Sequence, residues 1–123
     1  MAINKIENPE ATACLRWVSP EQGGRQTGPP TAPVYTTTAV FRLGGEEETQ
    51  PGWPAQSNQA ISILIERTGE DCDDGELVTI GFLAPDLARP YLHSGAEILV
   101  LEGPKVVAVM LVREVADSAS EAK

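Results

Sequence analysis

Short apolar segments alternate with turn-forming residues along the whole chain. Ten prolines and eleven glycines interrupt the sequence, and the segments between them are rich in Val, Ile, Leu and Thr. These residue types favour strands, whereas proline and glycine favour turns and loops. The pattern therefore predicts an all-β protein.

Six segments carry the pattern of a strand. The first alternates, with Leu15 and Trp17 on its apolar side, as a half-buried strand requires. The third places Ile63 and Ile65 on one face. The predicted strands are 11–18, 34–43, 60–66, 77–83, 97–101 and 106–115. Six strands without a long segment of helical period predict either a sandwich or a small closed barrel.

The connections between these strands differ in length and character. Two are long loops, and Trp53 in the second loop is predicted to fold back over a barrel end. The shorter connections are predicted as an acidic turn at 67–75, one helical turn at 86–92 and a hairpin turn at 102–105. Residues 11–116 would form one domain, preceded by an N-terminal arm (1–10) and followed by a disordered polar tail (117–123).

Charge and hydropathy restrict the classes of partner. The formal charge is −9, from 18 acidic and 9 basic residues, and such a charge repels phosphate backbones and anionic lipid headgroups. No apolar run is long enough for a signal peptide or a transmembrane helix. We therefore expect a soluble cytoplasmic protein that does not bind membranes.

The two cysteines are predicted to be reduced thiols. Cys14 lies in a predicted strand and Cys72 in the acidic turn, and their spacing fits neither a redox pair nor a zinc site. A disulfide between them is expected only if the chain is exported.

No residue pattern predicts catalysis, a metal or a cofactor. His93 is the only histidine, and no serine or carboxylate is placed by sequence to form a relay with it. The acidic segment 70–76 lacks the spacing of a calcium loop and is interpreted as a solvated turn.

The segment 106–112 is apolar at every position, although a barrel strand needs apolar residues only on its inner face. One explanation is that Val107, Val109 and Leu111 form an outward patch that contacts a partner protein or a second copy of the chain. The alternative is that the loop 44–58, with Trp53, covers this outer face.

Two turn motifs give the chain a resemblance to a known family. Residues 21–27 (EQGGRQT) resemble the E-E-G-G-R-x-T loop of the C-terminal β-barrel domain, the third domain, of elongation factor Tu. Residues 98–107 (ILVLEGPKVV) resemble the F-x-I-R-E-G-G-R-T-V hairpin of the same domain, and the match extends over most of 11–115.

The resemblance implies a fold and a class of function. The fold would be a small closed six-stranded antiparallel Greek-key barrel of the elongation factor Tu C-terminal domain type. In the factor this module docks on a partner domain, transfer RNA and regulatory proteins. The G-x-x-x-x-G-K-[ST] run of the factor's GTPase domain is absent from this sequence, so an isolated binding module is implied.

The motifs also imply candidate binding residues. These are Arg25 and Gln26 in the first turn, Glu102 and Lys105 in the second, and Thr38, where the family has a glutamine. If the two turns meet, Arg16, Arg25, Lys105 and Arg113 would form a basic patch. We predict a non-enzymatic protein-interaction module, and an inhibitor or immunity-type protein is one form that it could take. The alternative is a transfer-RNA-binding accessory factor in translation.

Overall fold

A computed structural model describes Ile6 and residues 9–24, 34–44, 46–49, 51–54, 60–73, 75–103 and 105–115. Its strands are β1 (Ala11–Trp17), β2 (Val34–Phe41), β3 (Ile61–Cys72), β4 (Gly75–Phe82), β5 (Glu97–Glu102) and β6 (Lys105–Val115). A short helix, α1 (Pro85–Ala88), continues into a 3-10 turn at Arg89–Tyr91, which matches the helical turn predicted there. The predicted tail at 117–123 lies outside the described residues.

The six strands form one closed barrel in the order β1-β4-β3-β2-β5-β6. Every pairing is antiparallel. β2, β3 and β4 are consecutive neighbours while β5 returns to lie beside β2, which is the Greek-key arrangement. The predicted small closed all-β barrel is therefore confirmed, and the sandwich is excluded.

The barrel interior holds the main hydrophobic core. Alternate residues of each strand point inward because successive side chains of a strand lie on opposite faces. The largest fully buried side chains include Leu15, Ile63, Ile80, Ile98 and Met110. Phe41 and Phe82 stack at one end of this core, with 6.1 Å between ring centroids.

A second hydrophobic cluster lies outside the barrel. Val40, Leu99 and Leu101 are buried there, and Trp53 packs against them together with Val106 and Val109. The expectation that Trp53 folds over a barrel end is therefore wrong, because its ring covers the outer face of β2, β5 and β6. β5 is apolar on both faces because both are covered.

The segment that carries Trp53, described at residues 43–44, 46–49 and 51–54 and called here the covering segment, is held near this face by hydrogen bonds and ion pairs. Glu48 accepts hydrogen bonds from the backbone N–H groups of Leu43 and Gly44, at 2.6 and 2.7 Å. Arg42 lies between Glu48 and Glu97, at 3.8 and 3.3 Å. The Arg42 guanidinium carbon lies 6.0 Å from the centroid of the Trp53 ring, a distance at which a cation is attracted to an aromatic face.

The hairpin of β3 and β4 is longer than predicted. The acidic segment was expected to be a turn from 67 to 75, but β3 continues to Cys72 and pairs there with Gly75. An irregularity between Arg67 and Glu70 shifts the register, and such bulges bend the strand that carries them. Strand pairing therefore overrides the weak strand propensity of these acidic residues.

The prediction of two reduced thiols is wrong, because Cys14 and Cys72 form a disulfide. Their Cα atoms are 6.0 Å apart, within the range that a disulfide requires. β1 and β3 both pair with β4, and Cys72 reaches β1 because the hairpin extends as far as Gly75. The disulfide thus fastens the tip of the β3–β4 hairpin to β1.

The N-terminal arm makes contacts with the barrel. Ile6 is buried, and its backbone N–H donates to Glu66 Oε1 at 3.1 Å. The Glu10 carboxylate is only 5% exposed and accepts two hydrogen bonds from Arg89, at 3.1 and 3.2 Å. This pairing raises the pKa of Arg89. Among the described residues, no helix has the length and apolar character needed to cross a membrane.

Candidate functional site

The two motif turns meet at one end of the barrel, called here the motif end. The Lys105 ammonium donates to the backbone carbonyl of Gly24 at 3.2 Å. Beside this contact the Val18 N–H donates to the carbonyl of Val107 at 2.9 Å. The fold therefore brings together the two motifs that the sequence separates, but Arg113 lies eight residues along β6 from Lys105, so the described residues do not form the predicted basic patch. Arg25 and Gln26, the other candidates of the first motif, lie outside the described residues.

The first motif needs a glycine at Gly24 for steric reasons. A Cβ atom at this position would lie 1.8 Å from the carbonyl oxygen of Val18. The Gly24 N–H donates to the carbonyl of Ser19 at 2.8 Å, which closes the turn. The motif glycine thus has a structural explanation in the close approach of two backbone segments.

Glu102, the candidate of the second motif, is engaged within the barrel. Its carboxylate accepts a hydrogen bond from the Tyr35 hydroxyl, and the Tyr35 ring lies 6.0 Å from that of Trp17. The Trp17 indole in turn donates to Glu76 at 2.7 Å, and Glu76 pairs with Arg67. A polar network therefore fills the motif end, and Glu102 takes part in it.

Thr38 lies on the outer surface of β2. Its side chain is exposed, and it pairs with Ser62 on β3 and with Leu101 on β5. It lies away from the inward-facing Tyr35 and Glu102 network. The described contacts do not join Thr38 to Lys105 or Gly24.

The three apolar candidates of β6 have different environments. Val107 is 0% exposed and belongs to the barrel core, so the expectation that it faces outward is wrong. The reason is a register shift between Val100 and Leu101 of β5, which lets Val107 and Ala108 both point inward. Val109 is partly buried and packs against the second cluster, as Trp53 also does, whereas Leu111 is 51% exposed.

Leu111 lies in an open surface groove, called here the β1–β6 groove. The groove has a volume of about 390 Å³. Strand pairing explains its composition, since Cys14 lies opposite Leu111 and Arg16 lies opposite Val109. Its lining residues are Cys14, Arg16, Asp73, Glu97, Val109, Met110, Leu111 and Arg113.

Two arginines of this groove lack a carboxylate partner. Among the described arginines, Arg42, Arg67 and Arg89 each form an ion pair, whereas Arg16 and Arg113 form none with any described residue. Both side chains are exposed. The basic-patch hypothesis included these two residues for their charge. Only the structure shows that they line the same groove as Leu111.

The remaining chemical candidates form no site. His93 is exposed, and its Nδ1 lies 3.0 Å from the carbonyl oxygen of the adjacent Ser94. In the part of the chain that the structure describes, no three histidine, cysteine or carboxylate groups converge as metal ligands would. The described residues of the acidic segment 70–76 instead take part in strand pairing and in the disulfide.

No protein-family model matches this chain, and no curated protein matches it. The resemblance to the third domain of elongation factor Tu therefore rests on the two turn motifs.

Proposed function

We propose that this chain is a non-enzymatic interaction module that docks onto a protein partner through the β1–β6 groove. The observation that carries this proposal is the exposure of Leu111. The apolar residues on the outer face of β5, Leu99 and Leu101, are buried, whereas Leu111 lies opposite Glu97 of β5 and is open between charged residues. An apolar centre with a charged rim is the usual composition of a protein-binding surface.

Closure of the barrel limits how a partner can bind. β1 pairs with both β4 and β6, so the sheet offers no free edge to an added strand. Recognition must therefore use side chains on the outer surface or in the turns. The β1–β6 groove offers an apolar anchor and two guanidinium groups that form no ion pair with a described residue.

The motif end supports a docking role for a module of the translation-factor type. Its two turns are held together by the contact between Lys105 and Gly24. A protein that presents such an end could occupy a surface used by the factor, as an inhibitor or immunity-type protein would. The two turn motifs are the support for this inhibitor role, through their resemblance to the translation factor.

Substitution of Leu111 tests the proposed function. The Leu111→Glu variant should lose a partner that the unaltered chain captures, because it places a charge at the apolar centre of the contact. Leu87→Glu is the matched control, since Leu87 is 58% exposed and lies on α1, outside the groove lining. Affinity capture followed by identification of bound protein and RNA is the measurement.

The possible results separate the classes of function. Loss of one protein with Leu111→Glu, and its retention with Leu87→Glu, supports the proposal. Retention of every protein by both variants contradicts it. Capture of transfer RNA that weakens steeply with salt would favour the RNA-binding alternative, because counterion release produces such a dependence. A change of molar mass in light scattering would identify a second copy as the partner.

The cytoplasmic location stays a prediction, and the disulfide bears on it. Cytosolic thiols are kept reduced by glutathione and thioredoxin, so structural disulfides are rare in that compartment. Trapping free thiols at the moment of cell lysis would decide the matter. A chain recovered with Cys14 and Cys72 alkylated supports the cytoplasm, whereas an oxidised chain supports an oxidising compartment.

A further inference from the structure

We propose that the β1–β6 groove binds an extended acidic segment of the partner protein, in which an apolar side chain contacts Leu111 and carboxylates pair with Arg16 and Arg113. This inference rests on the proposed docking function and assigns the chemistry of the docked segment. Three observations carry it: two guanidinium groups without an ion pair to any described residue, an exposed leucine that lines the same groove, and the strand pairing that places them near one another.

The absence of ion pairs at Arg16 and Arg113 is unexpected from composition. The chain has 18 acidic residues for 9 basic ones, so carboxylates are abundant. The other described arginines each have one within 4 Å, at 3.3 Å for Arg42, 2.7 Å for Arg67 and 3.1 Å for Arg89. The groove arginines therefore keep their donors available to an external carboxylate.

The carboxylates that line the groove do not remove this availability. Glu97 already pairs with Arg42, at 3.3 Å, and Asp73 lies on the hairpin tip without an ion pair to either groove arginine. Acidic groups farther from the groove act only weakly, because the screening length is about 8 Å at physiological ionic strength. The two guanidinium groups thus stay available to an external carboxylate.

The register predicts the sequence pattern of the bound segment. Arg16 of β1 lies beside Val109, and Arg113 lies two positions after Leu111, at a bulge of β6 opposite Thr12 and Ala13. Positions 109 and 113 are therefore separated by at most about 13 Å, the length of four residues of extended strand. Residues i, i+2 and i+4 of an extended segment point to one side over the same length. The pattern acidic–x–apolar–x–acidic thus matches arginine, leucine and arginine in order.

Planar guanidinium groups suit this role. Each can form two parallel hydrogen bonds with a carboxylate, which fixes the orientation as well as the charge of the bound group. The leucine between them supplies an apolar contact that a phosphate backbone cannot use. A protein segment therefore fits the groove better than a nucleic acid does.

Nuclear magnetic resonance titration with synthetic peptides tests the inference. The probe is the peptide Ser-Glu-Ser-Leu-Ser-Glu-Ser, and the controls are its scrambled form Glu-Glu-Ser-Ser-Ser-Leu-Ser and its lysine form Ser-Lys-Ser-Leu-Ser-Lys-Ser. The probe should shift amide signals of β1 and β6 around Cys14 and Leu111. The scrambled and lysine peptides should bind at least about tenfold more weakly, a difference of about 1.4 kcal/mol.

Variants of the groove complete the test. Arg16→Gln combined with Arg113→Gln should weaken probe binding about tenfold or more, whereas Arg67→Gln, which alters an arginine outside the groove lining, should not. Equal binding of the three peptides would overturn the inference, as would no shifts at about 1 mM probe. Stronger arginine-dependent shifts with transfer RNA than with the probe would also overturn it.

The proposed function and this inference can fail separately. A partner lost with Leu111→Glu but retained by the double arginine variant supports docking at the groove and overturns the acidic segment. A partner retained by Leu111→Glu contradicts docking itself. Thermal unfolding of each variant confirms that the fold is intact before binding is compared.

Discussion

At the residue scale, Gly75 shows how one missing side chain permits a long-range contact. A Cβ atom there would lie 1.9 Å from the carbonyl oxygen of Leu15. Its backbone φ is not in the left-handed region, so the requirement for glycine comes from close approach to β1. This approach also allows the hairpin tip to reach Cys14.

We expect Gly75→Ala to lower the free energy of unfolding by about 2 to 3 kcal/mol, because the added methyl group forces β1 and β4 apart. Gly69→Ala is the matched control in the same hairpin. Gly69 has open space around it but a φ of +85°, so its substitution should cost about 1 kcal/mol. Urea denaturation measures both values, and equal losses would contradict the steric explanation.

The pKa of Arg89 determines where its contact with Glu10 makes stability depend on pH. The hydrogen bond and the charge of this carboxylate raise the pKa of Arg89 above its ordinary value. A raised pKa means that the contribution of this arginine to stability is complete below the ordinary pKa of arginine and is lost only as the pH rises through the raised value. Titration of Arg89 therefore adds no pH dependence to stability in the physiological range.

At the element scale, the segment that carries Trp53 covers part of the outer face of the barrel, as a second sheet does in a sandwich. The outer face of β5 contains Leu99 and Leu101, which would be exposed without it. The indole ring covers this face, and Arg42 lies near the ring while pairing with Glu48 and Glu97. One aromatic residue thus protects a large part of the apolar surface outside the barrel.

Trp53→Ala should lower the free energy of unfolding by about 2 kcal/mol, less than for a fully buried tryptophan because its ring is partly exposed. It should also increase the binding of a fluorescent apolar dye, since Leu99 and Leu101 become accessible. Leu43→Ala is the control, because Leu43 is 50% exposed and exposed positions tolerate change within about 0.5 kcal/mol. Dye binding equal to that of the control would contradict the covering role.

Much of the barrel follows from alternation in the sequence, but its irregular positions do not. β1, β2 and β5 begin at the predicted residues, since period-two patterns identify strands directly. The orientation of Val107 was mistaken because a bulge inserts a residue without changing the local apolar pattern. The acidic part of β3 and the disulfide were missed because both depend on pairing between distant segments.

The candidate site shows the same division between local and distant information. Two apolar faces on β6 indicated that something covers or contacts the strand, and Trp53 was correctly named as a possible cover. Only the folded structure shows that Val109 is partly buried against the second cluster and that Leu111 is open. Arg16 and Arg113 entered the basic-patch hypothesis by their charge, and their position around Leu111 could not be read from the sequence.

At the scale of the whole molecule, the disulfide joins residues that are 58 positions apart. Its closed loop includes β2 and β3 together with the covering segment. A crosslink of this length restricts the unfolded chain strongly, because a longer loop has more conformations to lose. It also fixes the hairpin tip, and with it Asp73, beside the β1–β6 groove.

Cys14→Ser combined with Cys72→Ser should lower the free energy of unfolding by about 4 kcal/mol on the chain-entropy model. Guanidinium denaturation of the oxidised chain, the reduced chain and the double variant measures the effect. The reduced chain and the variant should unfold at similar denaturant concentrations. Similar midpoints for the oxidised chain and the variant would contradict a stabilising role.

Closure of the barrel has a consequence for the order of events in folding. β1 is the first and β6 the last of the strands described, yet they pair along their length from Ala11 with Val115 to Trp17 with Ala108. On a ribosome, β1 must therefore wait for every later strand before its second edge is paired. Distant pairings of this kind slow folding, and an unpaired edge promotes aggregation in the meantime. The nascent chain is thus most prone to aggregation in the interval before β6 emerges from the ribosome.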